Sequence, residues 1–179
     1  TRTAAAGLAF SAGVSLYKDM TLSSSLTLSG TTNFTIAGRG TQTITSAGLT
    51  YTNPITVASV GTVAFADALT VSNTVTFESG TLQLKNGATS TVTTFATSGT
   101  TQKFLQSTLS GSQATLSQAS GVVNATYTTI QDINATGGAT WNAYVTNQNI
   151  DGGNNTGWDF LVQLGKYIYT RRKNKRILQ

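Results

Sequence analysis

The segments Ile55-Thr56-Val57, Val63-Ala64-Phe65, Leu69-Thr70-Val71, Val75-Thr76-Phe77 and Leu82-Gln83-Leu84 decide the fold. In each, two apolar residues flank a small or polar one, the period-two signature of a strand with one buried face. The same unit precedes them at Leu26-Thr27-Leu28, Phe34-Thr35-Ile36 and Leu49-Thr50-Tyr51, with an inverted copy at Thr43-Ile44-Thr45. Turn formers stand between the units: Ser29-Gly30, Gly38-Arg39-Gly40, Ala47-Gly48, Ser72-Asn73, Ser79-Gly80 and Asn86-Gly87. No window carries a helical stripe, and 35 threonines oppose helix throughout.

Spacing selects among the all-β architectures. Strand centres fall at residues 27, 35, 44, 50, 56, 64, 70, 76 and 83. A sandwich or jelly roll, the alternative architecture, favours strands of about five or six residues recurring every 8–12 or so. Three strands of the length seen here, with their turns, add to roughly 20 residues, one coil of a parallel β-solenoid. Inward Leu, Val, Ile and Phe then stack from coil to coil, and outward threonines form ladders suited to β geometry. The single proline of the chain agrees, because a ladder needs its N–H groups. The expected fold is therefore a single-chain parallel β-helix.

Beyond residue 96 the pattern loosens. Lys103-Phe104-Leu105, Thr108-Leu109 and Ala114-Thr115-Leu116 permit one more coil, and Val122 to Ile133 tightens again. The last coil of a solenoid has no neighbour to cover its open core. Trp141, Trp158 and Phe160 lie near the end of the repeats and read as an aromatic cap. The expected organisation is a lead segment at 1–19, the solenoid at 20–160, and a C-terminal strand with a basic arm at 161–179.

Composition excludes several function classes. Of 179 residues only 9% are charged, against about 25% in average globular usage. Cysteine and histidine are absent, which removes a disulfide scaffold and catalysis or metal binding through thiolate or imidazole. Disorder by charge repulsion is excluded too, since such chains carry high net charge and few β-branched residues. No stretch of 18 apolar residues exists to span a membrane. Ala4 to Val14 lacks the basic lead and cleavage pattern of a signal peptide. Thr1 in place of Met fits either a processed product or part of a longer chain.

The net charge of +5 suggests nucleic acid until it is located. Residues 1–165 hold five basic residues and all six acids, a balance of −1. Residues 166–179 hold Lys166, Arg171, Arg172, Lys173, Lys175 and Arg176, a balance of +6. With Tyr167 and Tyr169 they form an arm that reads best as an anchor on an acidic partner subunit. A dedicated nucleic-acid binder spreads its basic patch over the fold, so nucleic acid is not the expected partner. A solvated tail is the plain alternative.

The run from Asn124 through Ile133 and Trp141 to Ala143, then Asn149-Ile150-Asp151-Gly152-Gly153-Asn154-Asn155-Thr156-Gly157-Trp158-Asp159-Phe160, resembles the closing coils of known parallel β-helix proteins. These occur among bacteriophage virion components and large secreted bacterial surface proteins. The Gly-Gly-Asn-Asn-Thr-Gly-Trp ending is the specific part, and residues 21–120 match only in style. The resemblance implies an extracellular or virion-surface structural role; it does not imply an enzyme and does not choose between phage and bacterium. The expected role is a virion surface component (tail fibre, spike, tip or capsid decoration). The basic arm makes other virion proteins the expected partners, the hydroxyl-rich surface suits host glycans, and a homo-oligomer, trimeric, is implied by analogy alone. A bacterial adhesin is the alternative, and a glycan depolymerase the third reading; the shortness of the chain favours the virion.

No cofactor, metal or catalytic residue is expected. Asp19, Asp67, Glu78, Asp132, Asp151 and Asp159 are scattered, and only Asp132 and Asp151, about one coil apart, are placed to stack. Asp151-Gly152-Gly153-Asn154-Asn155 invites a calcium reading, but repeat-type calcium sites recur with each turn and this occurs once. A tight turn with side chains bonding the backbone explains it better. Gly38-Arg39-Gly40 is a turn, too short for a phosphate loop.

Overall fold

The computed structural model describes residues 6–10 and 12–161. They wind into a parallel β-solenoid of about eight turns. The chain opens with β1 (Ala6–Phe10), β2 (Val14–Leu16), β3 (Met20–Thr21), β4 (Leu26–Gly30), β5 (Phe34–Ile36), β6 (Gln42–Thr45) and β7 (Thr50–Tyr51). Three long strands follow: β8 (Ile55–Phe65), β9 (Thr70–Leu84) and β10 (Thr89–Thr97). The closing half holds β11 (Lys103–Ser107), β12 (Ala114–Gln118), β13 (Val122–Asn124), β14 (Thr128–Gln131), β15 (Ile133–Thr136), β16 (Thr140–Asn142), β17 (Ile150–Asp151) and β18 (Trp158–Asp159). Every strand pairing among the described residues is parallel, which removes the sandwich and jelly-roll alternative.

The pairings define three faces. The first carries β1 and β4, then β7, the start of β9 and of β10, β12 and β15. The second carries β2, β5, the start of β8, the middle of β9, the end of β10, and then β13, β16 and β18. The third carries β3, β6, the ends of β8 and β9, then β11, β14 and β17.

Alternation places like on like inside. The column Val14, Phe34, Ile55, Val75, Phe95 runs down the second face, beside Leu16, Ile36, Val57 and Phe77. Val63, Leu82, Leu105 and Ile130 form a column on the third face. Nearly all of these side chains are buried. At the N-terminal end the stack is aromatic, with Phe10 on Phe34 at 5.1 Å and Phe34 on Tyr51 at 6.2 Å.

Two features differ from the expectation. Strand pairing begins at Ala6, so coil stacking reaches into the segment assigned to the lead; Ala6-Gly7-Leu8-Ala9 is too weakly amphipathic to announce a strand. The units centred on 56 and 64 form one strand, as do those on 70, 76 and 83. At two of the three corners so crossed, Gly61 and Gly80, the chain bends between faces with only a shift of register in the ladder. A methyl group on Gly61 would overlap the Gly40 carbonyl oxygen, and one on Gly80 the carbonyl oxygens of Ser59 and Gly61. Glycine therefore turns these corners by close backbone approach rather than by a loop.

Candidate functional site

At the corners, short polar side chains bond the backbone of the neighbouring coil. Asp67 accepts hydrogen bonds from the N–H groups of Ser46 (2.8 Å) and Ala47 (2.6 Å) in the preceding coil, and Asp19 accepts from Thr43 N–H at 2.8 Å. Asn53 donates to the Thr32 carbonyl at 2.7 Å and Asn73 to that of Thr52 at 3.1 Å. Ser59 and Ser79 donate to the carbonyls of Gly38 and Ser59, both at 2.8 Å. A turning backbone leaves groups that the ladder cannot reach, and a short side chain one coil away satisfies them.

Asp132 and Asp151 lie in the same corner of adjacent coils but follow this rule as well. Ile130 faces Asp151, which sets Asp132 two residues past the stacking position. Asp132 is buried at a left-handed φ of 57° and accepts from Gly111 N–H at 3.1 Å and Asn154 Nδ2 at 2.6 Å. Asp151 is exposed and accepts from Gly153 N–H at 2.9 Å and Asn155 Nδ2 at 2.7 Å. Both carboxylates thus serve turns. Among the described residues no group of three acidic side chains is placed to hold a metal ion.

Trp141 and Trp158 are in register on β16 and β18, their rings edge-to-face at 5.0 Å. They extend the column begun by Val123, and Phe160 packs against the core beside them. Trp158 Nε1 is buried without a hydrogen-bond partner in the described structure. The arm of Lys166, Tyr167, Tyr169, Arg171, Arg172, Lys173, Lys175 and Arg176 lies outside the described residues.

The solvent faces are columns of uncharged side chains, spaced by the interstrand distance of about 4.7–4.9 Å. The first face shows Thr50, Thr70, Thr91, Ser117 and Thr136 in register, beside Thr89, Thr115, Asn134 and Thr156. The second shows Ser15, Thr35, Thr56, Thr76 and Ala96. The third differs, with Thr62, Thr81, Phe104, Thr129 and Ile150 in one column and Gln83, Gln106 and Gln131 in the next.

Sequence reasoning missed the exchange at Lys103 and Phe104. Alternation is indifferent to direction: either Phe104 is buried and Lys103 and Leu105 are exposed, or the reverse. Leu105 stacks between Leu82 and Ile130, so Lys103 goes inside and Phe104 outside. Lys103 is 0% exposed, and its Nζ has no hydrogen-bond partner. Burial lowers its pKa from the ordinary 10.5. Compared with protein-family models, curated proteins and solved structures, the chain finds no match in any of the three.

Proposed function

We propose that this chain is a structural element displayed on the exposed surface of a bacteriophage particle, as part of a tail fibre, spike, tip or capsid decoration. The observation that supports this reading is the unbroken stack of parallel coils. About eight turns at 4.7–4.9 Å give a rod of roughly 40 Å, held along three faces by backbone ladders and filled by continuous apolar columns. Such a rod resists bending because parallel ladders join successive coils, without a break on the third face from β3 to β17. Its outward columns of threonine, serine and glutamine keep it hydrated without charge, and Asp132 and Asp151, the pair of carboxylates about one coil apart, are engaged in turns. The likeness of residues 124–160 to closing coils of virion β-helices supports the location.

In this reading the basic arm docks on an acidic virion protein, host glycans are the surface met by the rod, and a homotrimer covers part of its apolar exterior. Mass spectrometry of density-gradient-purified particles tests the proposal. The chain is expected to band with the capsid and tail proteins. Its absence from particles, with recovery in the envelope of the host bacterium, transfers the assignment to a bacterial surface protein.

A further inference from the structure

The third face carries a chemistry that the other two lack. Phe104 projects from β11 and is 44% exposed, a large ring on a sheet whose neighbouring outward positions are small or amide-bearing. Along the axis it is flanked in register by Thr81 and Thr129, and Ile150, 52% exposed, ends the column. The adjacent column is Gln83, Gln106 and Gln131, each part-exposed and in register with the next. None of these three amides makes a hydrogen bond within the described residues. Gln42, Gln118, Asn53, Asn73, Asn149 and Asn155 all bond the backbone instead. Three unengaged amides therefore stand in a row beside an exposed ring.

We infer that this face binds a neutral, linear glycan laid along the solenoid axis, with Phe104 as its stacking platform and Gln83, Gln106 and Gln131 as its hydrogen-bonding rail. Each glutamine offers two donors and a carbonyl acceptor, the pair of functions a sugar hydroxyl needs from a partner. The amides repeat every 4.7–4.9 Å or so, comparable with the length of one pyranose ring, so successive sugars meet equivalent groups. The C–H face of a pyranose is apolar and suits an aromatic ring. Charge chooses the class of glycan. The outward positions Thr81, Gln83, Phe104, Gln106, Thr129 and Gln131 are uncharged, and Lys85, two residues past Gln83, is a single cation at the rim of the rail, too few for a uronate or phosphate polymer charged at every unit. The first face has hydroxyls and no ring, and is the natural control.

The inference deepens the display reading, on which it rests for where such a ligand is met; the binding chemistry is tested separately. The full chain is titrated with cellohexaose, laminarihexaose, mannohexaose and xylohexaose as neutral probes and with a hexagalacturonate as the anionic one. Saturation-transfer NMR detects contact and calorimetry measures affinity. At least one neutral hexasaccharide binds, Phe104→Ala weakens it at least about tenfold, Gln106→Ala weakens it less, and Thr91→Ala on the first face has no effect. An unchanged circular-dichroism spectrum and melting curve for Phe104→Ala separates lost binding from lost fold. Binding by none of the neutral probes, preference for the anionic one, or full affinity in Phe104→Ala overturns the site. So does sedimentation showing self-association that Phe104→Ala abolishes while the sugars are inert, which makes this face a homotypic interface. Failure here leaves the particle assignment standing, whereas absence from particles leaves the sugar affinity standing.

Discussion

Lys103→Met probes the least expected feature of the core. The lysine amine is fully buried without a hydrogen-bond partner. A polar group left in that state costs about 1–3 kcal/mol by mutational measures. Methionine retains a long unbranched stem and removes the polar atom, so the variant is more stable by about that amount when the amine is neutral in both states. A pH term adds to it. The folded-state pKa lies below the unfolded 10.5, so between the two values the unfolded chain binds more protons. Stability conferred by the wild-type lysine is then greatest above pH 10.5 and falls with decreasing pH, by up to about 1.4 kcal/mol per unit, until pH passes the folded pKa. Methionine lacks this term, so the advantage of Lys103→Met widens from pH 10.5 towards neutrality. Urea unfolding followed by the fluorescence of Trp141 and Trp158 across pH 7–10.5 measures both effects. In melting experiments each kcal/mol is worth roughly 2–4 °C for a chain of this size. A variant no more stable than wild type would show that the buried amine carries no such cost, and an advantage constant across that pH range would show that its pKa is not lowered by folding.

Other perturbations separate inside from outside. Phe77→Ala empties a position at 0% exposure in the second-face column and costs about 3–5 kcal/mol in chemical unfolding, while Phe104→Ala on the outer surface changes stability by about 0.5 kcal/mol or less. Gly80→Ala meets both a φ of +82° and overlap with two carbonyl oxygens, so it costs more than Gly48→Ala, where φ is +73° and nothing lies within 4 Å; comparative denaturation midpoints rank the two. Asp67→Ala strands the N–H groups of Ser46 and Ala47 and lowers stability by about 1–3 kcal/mol, with hydrogen exchange rising at those two amides first. Deletion of residues 166–179 leaves the melting temperature unchanged and abolishes incorporation into particles; normal incorporation of the truncated chain removes the anchoring role from the arm.

Much of the fold was legible because alternation and coil length are recorded in residue types. Apolar–Thr–apolar triplets at Phe34-Thr35-Ile36, Ile55-Thr56-Val57 and Val75-Thr76-Phe77 recur 20 or 21 residues apart, and that interval is the register of the coils. The corners were less legible. Ser79-Gly80 reads as a turn that ends a strand, yet glycine also lets backbones approach closely enough to bend within the ladder. Coil length varies where turns carry insertions, with Thr89 facing Thr115 but Trp141 facing Trp158, and no local signal gives these offsets. Gln118 marks one such irregularity: it occupies the core column below Val92 and repairs the break by accepting from Phe95 N–H at 2.7 Å. The candidate site was illegible for a related reason. Whether Phe104 points in or out depends on its neighbours in two other coils, and those become neighbours only after the chain has wound.

The proposed place of this rod, outside a phage particle, is tested by electron microscopy of intact purified particles with a gold-labelled antibody. The antibody is raised against a peptide spanning Gln83 to Thr91, which carries outward residues of two faces and the turn that joins them. Gold is expected at one defined and repeated location on unbroken particles, and is lost when the gene is deleted. Label only on disrupted particles, or only on the bacterial envelope, contradicts it.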